Sequence, residues 1–209
     1  MTRTVEASSR LKLGDILHQR VAALFVQTDG HYCGLDGVDS WDIERDARKY
    51  EGPYPVVAHP PCNLWVSFAF VNFKRYGGDH NRPGNDGGCF ASALASVRRC
   101  GGVLEHPAFS RAWGTYGLMY PQCGGWNPCG PDEWVCEIWQ SAYGHRARKR
   151  TWLFYKGTNK PAEMRWERKP AEFQVGYHDQ RGPARNKPTV GKKEASRTPV
   201  ELRDAQEKT

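Results

Sequence analysis

A run of three apolar residues stopped by two prolines limits what this chain can fold into more than any other feature. Residues 55–62 read Pro-Val-Val-Ala-His-Pro-Pro-Cys. Val56–Ala58 has the length and branching of a fully buried strand. Pro60 and Pro61 cannot extend a hydrogen-bonded ladder, so the strand must end there in a rigid turn that presents Cys62. The same grammar recurs along the chain. Val21–Val26 (VAALFV) is a buried-strand candidate followed by Gly30, Gly34 and Gly37, which turn the chain. Cys89–Arg99 has small and apolar residues at helical spacing and is stopped by Gly101 and Gly102. Val103–Leu104 begins another short strand that runs into Glu105-His106-Pro107, and 151–155 (TWLFY) is a further strand after the basic run His145–Arg150. Strands alternating with helix or loop predict an α/β sheet with ligands at the carboxyl ends of its strands.

The intervening segments are expected to be less regular. Trp41–Tyr50 is charged and reads as a short surface helix, 74–88 as a Gly-rich loop, 114–131 as a loop, and Trp134–Gln140 as apolar and mixed. This divides the chain into a lead-in over 1–20, a catalytic α/β domain over 21–157 and a basic extension over 158–209. From Lys156 onward 13 basic face 8 acidic residues, a net +5 out of +7 for the whole chain. The excess favours a polyanionic partner. A tail lying on a duplex and a solvated tail are equally good accounts of it.

Seven cysteines with no export signal read as free thiols in a reducing compartment, so a cytoplasmic protein is expected. Cys123, Cys129 and Cys136 lack the close pair that structural zinc sites use, so no metal is expected. Cys62 stands apart because the proline turn holds it. A thiolate there is a strong nucleophile, and positive charge from Arg146, Arg148, Lys149 and Arg150 would favour it. Glu105, at the end of the next strand, would lie beside it in a parallel sheet. Thiolate attack on C6 of a pyrimidine puts negative charge on the ring, which an acid at N3 and a guanidinium near O2 stabilise. C5 then becomes a carbon nucleophile. His59 and His106 leave a cysteine–histidine hydrolase as a rival.

Taken together, these segments resemble the DNA cytosine-C5 methyltransferases, and most of all short, divergent phage-type DNA methylases. The resemblance covers roughly 21–157. Pro61-Cys62 matches the family's Pro-Cys nucleophile motif. Glu105-His106-Pro107, 43 positions after Cys62, matches its Glu-Asn-Val motif. Tyr143–Arg150 matches its aromatic-Gly-Pro-Gln-x-Arg-x-Arg motif, with Arg148 and Arg150 at the two arginine positions and Arg146 in place of the glutamine. Thr198-Pro199-Val200-Glu201-Leu202 is similar to a Thr-Pro-x-x-Phe ending of the short proteins. The resemblance implies a reduced Rossmann-like, methyltransferase-type sheet with helices on both faces. It implies Cys62, Glu105, Arg148 and Arg150 as catalytic residues and methyl transfer from S-adenosylmethionine to cytosine in DNA, single-stranded or with the base flipped from a duplex.

Three departures qualify that expectation. The family's Phe-x-Gly-x-Gly-Gly cofactor loop is matched by Phe25–Gly30, with only Gly30 in register, so Phe25, Gly30, Asp39 and Asp42 are the residues left to bind the cofactor. At least one strand–helix unit is expected to be missing from the cofactor half. About 50 residues after the arginine motif leave no room for a full target-recognition domain. Non-methyl C5 modification, chemistry on a free nucleotide and a non-catalytic DNA-binding protein on the same fold therefore stay open beside methylation.

Overall fold

A computed structural model describes residues 20–175 and 187–207, so most of the expected lead-in lies outside the described residues. Among the described residues nine strands form: β1 Val21–Leu24, β2 Val38–Trp41, β3 Val56–Ala58, β4 Gly102–Pro107, β5 Asn127–Gly130, β6 Glu133–Trp139, β7 Ala147–Arg148, β8 Arg150–Lys156 and β9 Phe173–Gln174. The helices are α1 Phe68–Tyr76, α2 Cys89–Cys100, α3 Arg111–Thr115, α4 Lys192–Ala195 and α5 Val200–Glu207. Seven strands make one sheet in the order β2-β1-β3-β4-β8-β6-β5, and β7 pairs with β9 separately. Strands β2, β1, β3 and β4 are parallel; β8 runs antiparallel to β4 and β6, and β5 antiparallel to β6. The fold is thus mixed α/β with a mostly parallel central sheet, consistent with a Rossmann-like arrangement.

Strand alternation builds two apolar layers. Ala22, Leu24, Val56, Ala58, Leu104, Trp152 and Phe154 face one side, where α2 covers them. That helix forms because Phe90, Ala93, Leu94 and Val97 make one apolar stripe, all of it buried. Its start is tied by Asp86, whose carboxylate accepts the Phe90 amide at 2.8 Å, and its end by Gly101 at φ 80°. Gly102 has no alternative: a Cβ there would lie 2.0 Å from the Val56 carbonyl oxygen across the ladder. The opposite face carries Val103, Leu153 and Tyr155, covered by α5 through Leu202 and by irregular chain through Met164 and Trp166.

Several expectations change here. Trp41 closes β2, and only Ala47–Lys49 of the expected surface helix is helical, as a single 3-10 turn. The segment 74–88 is not all loop, since α1 runs to Tyr76. Helices do lie on both faces: opposite α2, among the described residues, the cover comes from α5 and the 3-10 turn Gln140–Tyr143, while β1 and β2 are joined by turns over 25–37 with no helix. The described part of the basic extension is not a separate tail. Leu202 is fully buried, and Arg165 bonds the carbonyl of Ala142. Among the described residues no helix is long and apolar enough to cross a membrane.

Candidate active site

Parallel pairing of β3 with β4 puts Ala58 opposite Leu104. The next residues on each strand, His59 and Glu105, therefore leave the sheet side by side at its carboxyl edge. The His59 amide stays in the ladder by donating to the Leu24 carbonyl at 3.0 Å. The prolines then turn the chain, and the Trp65 amide closes on the Cys62 carbonyl at 2.9 Å. Cys62 is partly buried.

Glu105 is the hub of the site. Its Oε1 accepts from Gln140 Nε2 at 2.7 Å and lies 3.7 Å from Lys149 Nζ. Its Oε2 lies 3.1 Å from His59 Nδ1 and accepts from Thr198 Oγ1 at 3.2 Å and Gln206 Nε2 at 3.4 Å. Burial alone would raise this carboxyl. Attraction to Lys149 and His59, with the His59 and Gln206 hydrogen bonds, outweighs burial and holds it far below the ordinary carboxylate range. The group is an ionised acceptor with its lone pairs filled, not the proton donor expected at N3. His59 Nε2 continues the network to the Tyr32 hydroxyl at 2.8 Å, and Tyr32 reaches Gln206 Oε1 at 3.3 Å.

Burial pushes the Cys62 thiol above its ordinary value; Lys149 opposes this, and the charge on Glu105 adds to it. Cys62, Glu105 and Lys149 thus feel one another's fields, and of the expected basic run only Lys149 acts on the thiol. Arg148 and Arg150 go elsewhere. Along an extended chain, residues two apart share a face and the one between takes the other. Lys149 points to Glu105, so its neighbours cannot. Arg148 is exposed, with its guanidinium 5.3 Å from the Trp139 ring centroid. Arg150 grips buried Glu137, its terminal nitrogen 2.8 Å from both carboxylate oxygens. Trp152 Nε1 donates to the same carboxylate at 2.9 Å. Arg146 pairs with Glu194 at 3.4 Å.

His106 faces the α2 side, one residue out of phase with Glu105. It packs at 5.0 Å between ring centroids on Phe90 and stacks on Trp113. Neither ring nitrogen meets a partner in hydrogen-bonding geometry, although the Pro61 carbonyl lies close enough to favour the charged form. Burial prevails and drives the ring down to about 4, so it is neutral near pH 7.

The expected cofactor residues are occupied with holding the fold. Phe25 leaves β1 at φ 60°, a strained conformation for a residue with a side chain. Gly30 sits in a tight turn where a Cβ would meet Gln27, its carbonyl oxygen at 2.9 Å and its Cβ at 3.2 Å. Burial would raise Asp39, but hydrogen bonds from Arg45 and Trp41 prevail and lower it. Asp42, just past the end of β2, accepts the amides of Glu44 and Arg45 at 3.0 and 3.2 Å, and the Arg45 bond leads in lowering its carboxyl. The C-terminal segment also lies across this loop: Gln27 donates to Ser196 at 2.7 Å and Arg203 to the His31 carbonyl at 2.9 Å. Among the described residues no three His, Cys, Asp or Glu side chains gather where they could hold a metal.

Of the network, Tyr32, Gln140 and Gln206 were not singled out from the sequence. Only the Thr198-Pro199 resemblance pointed towards the C-terminal partners. Two cavities, of about 680 and 350 Å³, are lined by neither Cys62 nor Glu105. The site at the strand ends is assigned by its chemistry and not by cavity size. The chain matches no known protein family, curated protein or solved structure.

Proposed function

We propose that this protein modifies a pyrimidine base of DNA at C5, with Cys62 as the nucleophile that adds to C6. One observation carries the reading: Cys62 and the ionised Glu105 stand at the carboxyl ends of adjacent parallel strands, within one another's field and with Lys149 between them electrostatically. A parallel half-sheet followed by antiparallel β8 is compatible with a methyltransferase-type sheet lacking one strand–helix unit.

The base enters by exchanging with the Thr198 and Gln206 donors at Glu105. Cytosine offers its exocyclic amino group as the replacement donor, which suits a carboxylate acceptor. Lys149 takes the role expected of an arginine, compensating negative charge as sulfur bonds to C6. The step balances as an addition: the sulfur–C6 bond forms, the C5–C6 double bond opens and the thiol proton ends on N3 of the ring, while Lys149 opposes the cost of charge on the sulfur. S-adenosylmethionine would supply a methyl electrophile for C5, but the residues after β1 do not fit it. Gly30 is filled by its own turn, no helix starts after β1, and Asp39 and one oxygen of Asp42 are taken. The C5 donor is therefore tested separately from the addition.

The test is a single-stranded oligonucleotide carrying 5-azacytosine. Addition of the thiol forms a sulfur–C6 bond and moves the proton to ring nitrogen 5, so no further reactant is needed. A denaturation-resistant adduct is expected with the parent and none with Cys62→Ala, and the tryptic peptide holding Cys62 gains the nucleotide mass. A parallel arm with methyl-labelled S-adenosylmethionine and a cytosine oligonucleotide reads methyl transfer. Quantitative recovery of unmodified Cys62 while the oligonucleotide is bound would end this proposal.

A second reading, a protein that binds nucleic acid without reacting, is favoured by the filled lone pairs of Glu105 and the raised Cys62 thiol. The hydrolase reading has no such support. Both ring nitrogens of His59 are engaged by Glu105 and Tyr32, and His106 is buried on the other side of the sheet.

A further inference from the structure

Helix α1, which begins six positions after Cys62, buries only Ala69. Phe70, Val71, Phe73 and Tyr76 remain 41%, 54%, 36% and 66% exposed. A helix on a globular protein normally turns such side chains to the core, and an uncovered cluster marks a binding face. Cations are interleaved with the rings. Lys74 and Arg75 occupy the last turn. The Arg111 guanidinium lies 3.8 Å from the Phe70 ring centroid, and both residues line, with Arg82, a cleft of about 680 Å³. The two nearby acids are committed within the protein: Asp79 pairs with Arg82 at 2.7 Å, and Asp86 holds the Trp65 indole and the start of α2.

We infer that α1 and this cleft form a stacking platform for single-stranded nucleic acid, on which the nucleotides flanking the target base lie. Aromatic faces take up unstacked bases, and the cations follow the phosphates. A duplex offers the phosphates but not the base faces: its bases are already stacked, so the rings of α1 would meet only its charged backbone. A second copy is the poorer occupant, because a two-fold interface would set Lys74, Arg75 and Arg111 against their own counterparts. A membrane surface is poorer too, since a nine-residue helix buries little and the cleft behind it carries Asp79, Arg82, Asn85 and Arg111 among its lining. The inference rests on the proposed function only in stating that the bound strand leads to Cys62.

Fluorescein-labelled oligothymidylate binding, followed by anisotropy at low salt, tests it on the full chain. The double substitution Phe70→Ala/Phe73→Ala is expected to weaken binding about tenfold or more, and Phe70→Trp/Phe73→Trp to restore it, because stacking needs a ring and not a given shape. Replacing Lys74 and Arg111 by Ala should flatten the salt dependence by about 0.7 in log–log slope for each cation removed. Parent affinity in the double alanine variant overturns the platform. So does preference for a duplex of the same length, capture of anionic vesicles in place of the oligonucleotide, or a dimer that the alanine variant dissolves. Failure of the Cys62 chemistry appears in a different readout, as unmodified cysteine recovered from bound complex.

Discussion

The clasp of the C-terminal segment on Glu105 makes a quantitative prediction. Thr198 and Gln206 bring two donors to one carboxylate oxygen at 3.2 and 3.4 Å from 93 and 101 positions away in sequence. A hydrogen bond to a charged group contributes about 1.5–3 kcal/mol, and these long ones belong at the lower end. Thr198→Val and Gln206→Leu should each cost about 1.5 kcal/mol in urea unfolding. Because the two bonds share Oε2, the double variant should lose less than the sum. Local opening should be more sensitive than global unfolding. Amides of α5 are expected to exchange about tenfold faster for each 1.4 kcal/mol lost, while those of α2 change less. Glu105→Gln is the stronger perturbation. It leaves Lys149 and His59 facing a neutral group inside the protein and should cost about 3–5 kcal/mol. The sign with pH follows from the lowered carboxyl. Its contribution is complete above the ordinary carboxylate value of about 4.3 and drains away as pH falls below it. Parent stability should therefore fall on acidification below that value, and the Gln variant should lack this component. Losses under about 0.3 kcal/mol in both single variants, with unchanged exchange in α5, would refute the clasp.

Two further outcomes follow from the buried groups. His106 is lowered to about 4 from an ordinary value near 6.5, so its neutral form favours the fold fully above 6.5. That stability is lost as pH falls from 6.5 towards 4, to a total of order 3 kcal/mol, and His106→Phe should remove this slope in unfolding titrations; identical slopes would contradict the placement. Arg150→Met should cost about 2–4 kcal/mol in chemical denaturation, because Glu137 is left buried with the Trp152 indole as its main donor; a loss under about 1 kcal/mol would show that the pair holds nothing in place.

Much of the framework was readable before any coordinates. Val21–Val26, Val56–Ala58 and Thr151–Tyr155 read as strands from their apolar runs, of which the first forms a strand only to Leu24, and Phe90, Ala93, Leu94 and Val97 repeat at the helical period. Local chemistry suffices for these, because burial of a short β-branched run or an amphipathic stripe depends little on partners. The adjacency of Cys62 and Glu105 also followed from the sequence, since consecutive strands joined by a helix pair in parallel and end at the same edge. Helix α1 was missed because its apolar residues are not buried, so no periodic stripe set it apart from the Gly-rich loop that follows.

What the tertiary structure alone decided is which side chains converge. Arg148 and Arg150 fitted a motif, yet register turns Lys149 to the site and sends its neighbours to Trp139 and Glu137. A one-residue change of phase inverts every side chain of an extended segment, and phase is set by pairing with β6 and β9, which no local signal contains. Tyr32, Gln140, Thr198 and Gln206 are ordinary polar residues in sequence. Gln140, Thr198 and Gln206 reach Glu105, and Tyr32 reaches its partners His59 and Gln206, only because the fold closes the chain over the carboxyl edge of β3 and β4. A buried carboxylate there must be paired or give up its charge, and the partners that keep it charged come from four distant segments.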